Sequence, residues 1–215
     1  MAQKAKTISC MKEEMQRILE AEANAIRSIP VNETIGTAVE LIYNAVHKNG
    51  GKVVASGMGK AGQIALNIAT TLSSTGTPAI FLHPSDAQHG DLGVISKNDV
   101  LLLITNSGKT REILELYELS KGLVNHIPVI VITGNPHSPL GSIADVTIHT
   151  GGPEEVCPLG LTPTTSTTVM TVIGDILVVL LIKKIGFTAD DYAKRHHGGY
   201  LGVKSRDDAN FLKSR

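Results

Sequence analysis

Five short apolar runs, at 53–55, 79–82, 100–104, 128–133 and 145–149, alternate along the middle of the chain with helix-like segments at 60–74, 109–122 and 138–143. A strand followed by a helix and then another strand reads as a crossover unit, because parallel neighbours cannot be joined by a tight turn. The alternation therefore predicts an α/β chain: a doubly wound, mostly parallel five-stranded sheet flanked by helices. In such sheets ligands sit in the crevice beyond the strand C-termini, so the polar loops after the strands are where function is to be sought.

Two helices precede the first strand. Met11, Met15, Ile18, Leu19, Ile26 and Ile29 recur at helical spacing until Pro30 ends the pattern. Asn32 then caps a second helix whose stripe is Ile35, Val39, Leu41, Ile42 and Val46, stopped by Asn49-Gly50-Gly51. Their apolar faces must cover the sheet or meet another subunit. Near the other end, 169–182 is apolar nearly all round, interrupted by Thr171, Gly174 and Asp175, and falls short of the ~20 residues that span a bilayer. It predicts a buried helix over 165–185, covered partly by an identical subunit.

A chain of 215 residues is long enough for one α/β domain with a sizeable core. Its 20 basic and 20 acidic residues balance, which gives no argument for nucleic acid or an anionic membrane as partner. Tryptophan is absent, which disfavours stacking platforms for bases and sugars but not a small phosphorylated sugar held by hydrogen bonds. Cys10 and Cys157 form no C-x-x-C pair, so neither a disulfide framework nor a cysteine-rich zinc site is expected. Charges at Lys4, Lys6, Lys12, Glu13 and Glu14 leave no room for a signal-peptide core, and the expected location is the cytoplasm.

The loops carry the chemistry. After the first run stands Ser56-Gly57-Met58-Gly59-Lys60-Ala61-Gly62, formally G-x-G-x-x-G. The second run ends at His83-Pro84 with Asp86 beyond it, so the acidic residue of a dinucleotide site is missing and a phosphate or sugar loop is favoured. Lys60 can meet a substrate anion or stand as a solvated lysine. After the third run, Thr105-Asn106-Ser107-Gly108-Lys109-Thr110-Arg111-Glu112 imitates a Walker motif, but Leu103 stands where its first glycine belongs. What remains is a phosphate cradle of N–H groups and hydroxyls at a helix start. Glu112 suits a first-turn charge as well as catalysis. His89, in a polar glycine-rich loop, can transfer protons at neutral pH or simply turn the chain. His196 and His197 are adjacent, so at most one faces a given site. No metal-ligand spacing appears, and neither metal nor redox cofactor is expected. From Glu154 to Thr168 a carboxylate pair precedes Cys157-Pro158 and a hydroxyl cluster at a helix N-terminus, an acid or base beside an anion site.

Together these residues resemble the sugar isomerase (SIS) domain family, and within it the D-arabinose 5-phosphate isomerases of the Kdo pathway. The resemblance rests on Ser56 to Lys60, Ser74 to Pro78, His89 to Gly93, Asn106 to Gly108, Glu155 to Thr167, Gly186 to Ala189, and His196 with Gly198 to Gly202, and covers roughly 35–205. Two positions depart from the family: Lys109 where glutamate is usual, and His197 where proline is usual. The chain is thus read as an N-terminal amphipathic helix over 1–31, a polar tail over 206–215 and, as the resemblance implies, an SIS domain of flavodoxin-like fold over 32–205. The resemblance implies a form without the tandem CBS pair, and assembly as a dimer or tetramer. It also implies interconversion of D-ribulose 5-phosphate and D-arabinose 5-phosphate through a cis-enediol, supplying Kdo and lipopolysaccharide synthesis. Carried over, Lys60, His89, Glu112, Glu155 and His196 are the active-site positions. Glu155 or Glu112 would be the C1–C2 base, His196 or His89 would open the ring, and Lys60 would stabilise the enediolate. The phosphate and sugar would lie against Ser56, Gly59, Thr105, Asn106, Ser107, Thr110 and Thr165. The competing expectations are another SIS-type isomerase acting on a hexulose or heptulose phosphate, and a non-catalytic sugar-phosphate sensor.

Overall fold

A computed structural model describes residues 2–213 of the chain, with side chains over 10–211, so Lys4, Lys6 and the last four residues of the tail lie outside the described side chains. Two helices lead in, α1 (Ala2–Arg27) and α2 (Glu33–Ile42). Asn32 caps α2 as its sequence position suggests, accepting from Thr34 N at 3.0 Å. One uninterrupted helix to Asn49 is expected; instead α2 gives way to a π-helical turn over Tyr43–Lys48, which buries Ala45 and Val46 and sets His47 3.1 Å from the Thr77 hydroxyl.

The sheet then unfolds in order: β1 (Val53–Gly57), α3 (Gly59–Ser74), β2 (Ala79–Phe81), α4 (Pro84–Ala87), β3 (Val100–Ile104), α5 (Arg111–Leu123), β4 (Val129–Thr133), α6 (Pro139–Ile143) and β5 (Val146–His149). A 3-10 turn at Asp91–Val94 lies between α4 and β3. Strand order is β2-β1-β3-β4-β5, and every pair is parallel, so the sheet is parallel throughout.

Side chains alternate across each strand, and the alternation sorts the core into two layers. Val53, Ala55, Val100, Leu102, Ile104, Ile130 and Ile132 face a layer built with α2, α3 and α7 (Thr165–Ile185). Val54, Leu101, Leu103, Val129 and Val131 face the other layer, with Ile113 and Leu116 of α5, Ala87 of α4 and Leu140 of α6. Every residue of β1, β3 and β4 is buried. Each large side chain so buried contributes about 1.5–3 kcal/mol, which is why a doubly covered sheet tolerates unbroken apolar strands.

By length and composition α7 could cross a bilayer. Here its inner stripe, Val169, Ile173, Leu177 and Leu181, is at most 1% exposed against the sheet and α3, while Val179 and Leu180 on the outer side stay open. Beyond it come α8 (Ala189–Arg195), opened by a capping box of Thr188 and Asp191, and α9 (Gly199–Lys213). Residues 206–213 of the expected polar tail thus continue a helix.

Candidate active site

β1 and β3 are neighbours, yet the chain leaves β1 towards β2 on one side and leaves β3 towards β4 on the other. The loops after the two strands therefore part, and a crevice opens at this switch point. Gly57 and Gly62 let α3 start directly above β1: a Cβ on Gly62 would lie 2.5 Å from the Gly57 carbonyl oxygen. The crevice is a cleft of about 290 Å³. Met58, Lys60 and Ala61 line it from the start of α3, Ile104 to Ser107 and Thr110 from the β3–α5 loop, and Pro163, Ser166, Thr167 and Met170 from the start of α7.

Three helix N-termini meet here, and each leaves N–H groups without helical partners. The cap residues of α3 and α5, Met58 and Thr110, make no side-chain capping bond. Those N–H groups remain open to an anion. The Thr110 hydroxyl instead lies 2.9 Å from that of Thr105, which accepts from Gly108 N at 3.3 Å, while Ser107 Oγ accepts from Lys109 N at 3.2 Å. Gly108 sits at φ +65°, and a Cβ there would fall 1.8 Å from Ser138 Oγ, so the cradle closes only with glycine.

At α7 the anion is supplied by the chain. Glu155 Oε2 accepts from Thr164 N at 2.7 Å, Thr164 Oγ1 at 2.8 Å and Ser166 N at 3.3 Å, which leaves Oε1 free of these bonds. Partial burial pushes this carboxyl up, but hydrogen bonds from Ser166 and Thr164 outweigh it and hold the group below its ordinary value. Two residues on, hydrogen bonds from the Thr162 hydroxyl and from the backbone at Leu159 and Thr162 bring the Cys157 thiol down to about 7.

Of the residues singled out in the sequence, Lys60, Thr105, Asn106, Ser107 and Thr110 line the cleft, with Gly59 at φ +57° between Met58 and Lys60. Two do not. Ser56 is fully buried and donates to the Leu82 carbonyl at 2.6 Å, tying β1 to the end of β2. Thr165 is buried with its hydroxyl turned away, accepting from Val156 N at 3.1 Å and donating to Glu22 Oε1 at 2.9 Å. Ser166 and Thr167 take its place, a shift of one or two positions, or 100–200° around a helix. Glu112 stands partly buried in the first turn of α5 and His89 is exposed in the turn after α4; neither is on the cleft wall. His196 ends α8, stacked on Tyr192 with ring centroids 3.7 Å apart. Since the 21 residues of α7 extend about 30 Å, this histidine lies off the far end of the helix from the cleft of its own chain. Among the described residues no three His, Cys, Asp or Glu side chains converge on one point; the anion-binding capacity resides in N–H groups, hydroxyls and Lys60.

Comparison with known proteins matches this arrangement to a family. The SIS-domain profile aligns with residues 47–180, which hold the whole sheet and the start of α7. Arabinose 5-phosphate isomerase KdsD of Yersinia pestis is 46% identical over 191 residues, covering 88% of this chain and 56% of its own. The KdsD protein of Escherichia coli K12 is 51% identical over 154 residues, 72% of this chain and 46% of its own. The chain thus spans about half the length of these curated relatives. Among solved structures, a putative phosphosugar isomerase involved in capsule formation from Bacteroides fragilis superposes with TM-score 0.87 at 62% identity, covering 88% of this chain and 99% of that one. Protein c3406 of E. coli CFT073, in complex with A5P, gives 0.81 at 34% identity over 87% and 98%. With the sheet order, the switch-point cleft and the matched segment in agreement, the chain belongs to the SIS-domain family.

Proposed function

We propose that this chain is an aldose–ketose isomerase that interconverts D-ribulose 5-phosphate and D-arabinose 5-phosphate through a cis-enediol, in the cytoplasm, supplying Kdo and lipopolysaccharide synthesis. The observation that carries the reading is the convergence of uncapped helix starts and a lysine on a cleft whose serine, Ser166, holds a carboxylate in place. The phosphate lies against Asn106, Ser107 and Thr110 and the open N–H groups of α3 and α5. Lys60 stabilises the enediolate oxygen. Glu155 moves the proton between C1 and C2, with Glu112 as the other carboxylate for that role; His89 and His196 serve ring opening and oxygen protonation. In this reading His196 reaches a cleft from another copy of the chain, because its own lies the length of α7 away. Exposed apolar side chains on α1, α7 and α9 (Met11, Met15, Leu19, Val179, Leu180, Leu201) support a dimer or tetramer. Free Cys10 and Cys157 suit a reducing compartment. Support for the substrate comes from relatives named arabinose 5-phosphate isomerase and from the A5P complex of a structural neighbour.

The test is direct. Purified chain with EDTA should convert ribulose 5-phosphate to arabinose 5-phosphate. Equal turnover of six- or seven-carbon ketose phosphates would assign it to a different isomerase, and binding without conversion would make it a sensor.

A further inference from the structure

We infer that Glu22, on the N-terminal helix α1, is a positioning residue that holds Glu155 in place for proton transfer by fixing the Thr165 hydroxyl; the inference rests on the isomerase reading above. The hydroxyl of Thr165 has one hydrogen, and it is spent on Glu22 Oε1 at 2.9 Å. Its lone pair is thereby kept towards Val156 N at 3.1 Å. Glu155, the preceding residue, is bonded to Thr164 and Ser166, the residues on either side of Thr165. The segment 155–156 is thus stitched to 164–166 at both of its residues, and Glu22 closes the stitch from behind.

Packing alone does not explain a carboxylate at this place. Glu22 Oε2 is buried without a hydrogen-bond partner; among the described side chains only His83 Nδ1 shares that condition. An orphaned carboxylate oxygen is costly to bury, and an apolar side chain would pack between α1 and α7 without the cost. What the carboxylate adds is a strong, directed acceptor for the Thr165 hydrogen. Glu22 lies outside the segment 47–180 that the family profile matches, and 143 residues from its partner, so the first helix supplies a part of the site that the domain's own segment lacks.

Glu22→Ala, Glu22→Gln, Thr165→Val and Thr165→Ser, made in a Cys10→Ser background, test it. Loss of the acceptor should lower kcat about tenfold with KM within about twofold, since a small misplacement of a reacting group acts on turnover. Glu22→Gln, whose amide oxygen still accepts, should return to within about threefold of the parent. Glu22→Ala added to Glu155→Gln should slow it no further, because both act through one carboxylate. An unchanged kcat in Glu22→Ala, a loss confined to KM, a Gln variant as slow as the Ala variant, or additivity in the double variant would each overturn the inference. If Glu22→Ala does not fold, Thr165→Val should reproduce the loss and Thr165→Ser should reverse it; equal rates in that pair would overturn it as well. A parent protein inactive on pentose phosphates defeats the isomerase reading instead. The positioning is then read from Cys157, two residues beyond Glu155, whose alkylation by iodoacetamide should change by about threefold in Glu22→Ala and not in Glu22→Gln. An equal rate in all three would refute it whatever the reaction.

Discussion

Replacing Glu155 by Gln separates two jobs done by one carboxylate. As the anion at the start of α7, its Oε2 takes three bonds at 2.7–3.3 Å from Thr164 and Ser166. A Gln oxygen can keep those contacts and loses only the charge, worth about 0.3–1 kcal/mol at a helix N-terminus and nearer the lower figure where solvent screens it. A loss of that size lowers the melting temperature by about 1–4 °C in a chain of this length. Removing a proton-transferring base costs about 10² in turnover, or about 2.7 kcal/mol of barrier. The barrier should therefore rise by several times the stability lost. Glu155→Ala, which deletes the acceptors too, should cost about 1–2 kcal/mol of stability at the same low turnover. The pH dependence has a definite sign. The folded carboxyl titrates below its ordinary 4.5, so its stabilising effect is fully present above that value and is lost as pH falls through the folded pKa. Melting curves of parent and Gln variant should run parallel at neutral pH and converge in acid. The acid limb of kcat/KM should likewise fall below the ordinary glutamate range. Turnover within about threefold of the parent, with the melt lowered as calculated, would leave Glu155 a helix cap and move the base to Glu112.

Gly108→Ala should destabilise the fold by about 2–3 kcal/mol in urea titration, from about 1–2 for an alanine at φ +65° and about 1 for the displaced Ser138 cap on Gly141 N; an unchanged midpoint would mean that the cradle is not closed against Ser138. In Cys10→Ser protein, the rate of Cys157 alkylation should rise through about pH 7, and Thr162→Val should move that inflection upward. An inflection at the ordinary thiol value would contradict the hydrogen bonds drawn to this sulfur.

Legibility in the sequence follows the range of the interaction. β3 is readable residue for residue because Val100 to Ile104 is an uninterrupted apolar run. β1 continues past the apolar signal to Gly57, since Ser56 and Gly57 pair with Leu103 and Ile104 and are buried for their position and not for their type. The π turn at Tyr43–Lys48 is hidden because an apolar stripe reports a buried face and not the hydrogen-bond pattern behind it. In the site, Thr105, Ser107 and Thr110 form a local loop and are legible as a cradle. The contacts of Glu22 to Thr165 and of Ser56 to Leu82 join distant stretches and carry no local mark. The distance of His196 from the cleft is set by how long α7 runs before the chain turns, which a matching motif does not encode.

The hydroxyl cluster shows how the core decides the site. Residues 165, 169, 173, 177 and 181 recur every fourth position and form the buried stripe of α7, at most 1% exposed. Packing Val169, Ile173, Leu177 and Leu181 against the sheet fixes the rotation of the helix, and with it the direction of Thr165. Ser166, Thr167 and Met170, related by three and four positions, are the residues that this rotation brings to the cleft. Nothing in the run Thr164 to Thr168 distinguishes one hydroxyl from the next; the aliphatic residues beyond it do. A one-residue slip of the stripe would turn α7 by 100°, replace Ser166 by a different hydroxyl at the wall and break the bond that holds Glu155. The stripe must therefore be read before the hydroxyls: its phase assigns Ser166 and Thr167 to the ligand, and Thr165 to the frame that Glu22 completes.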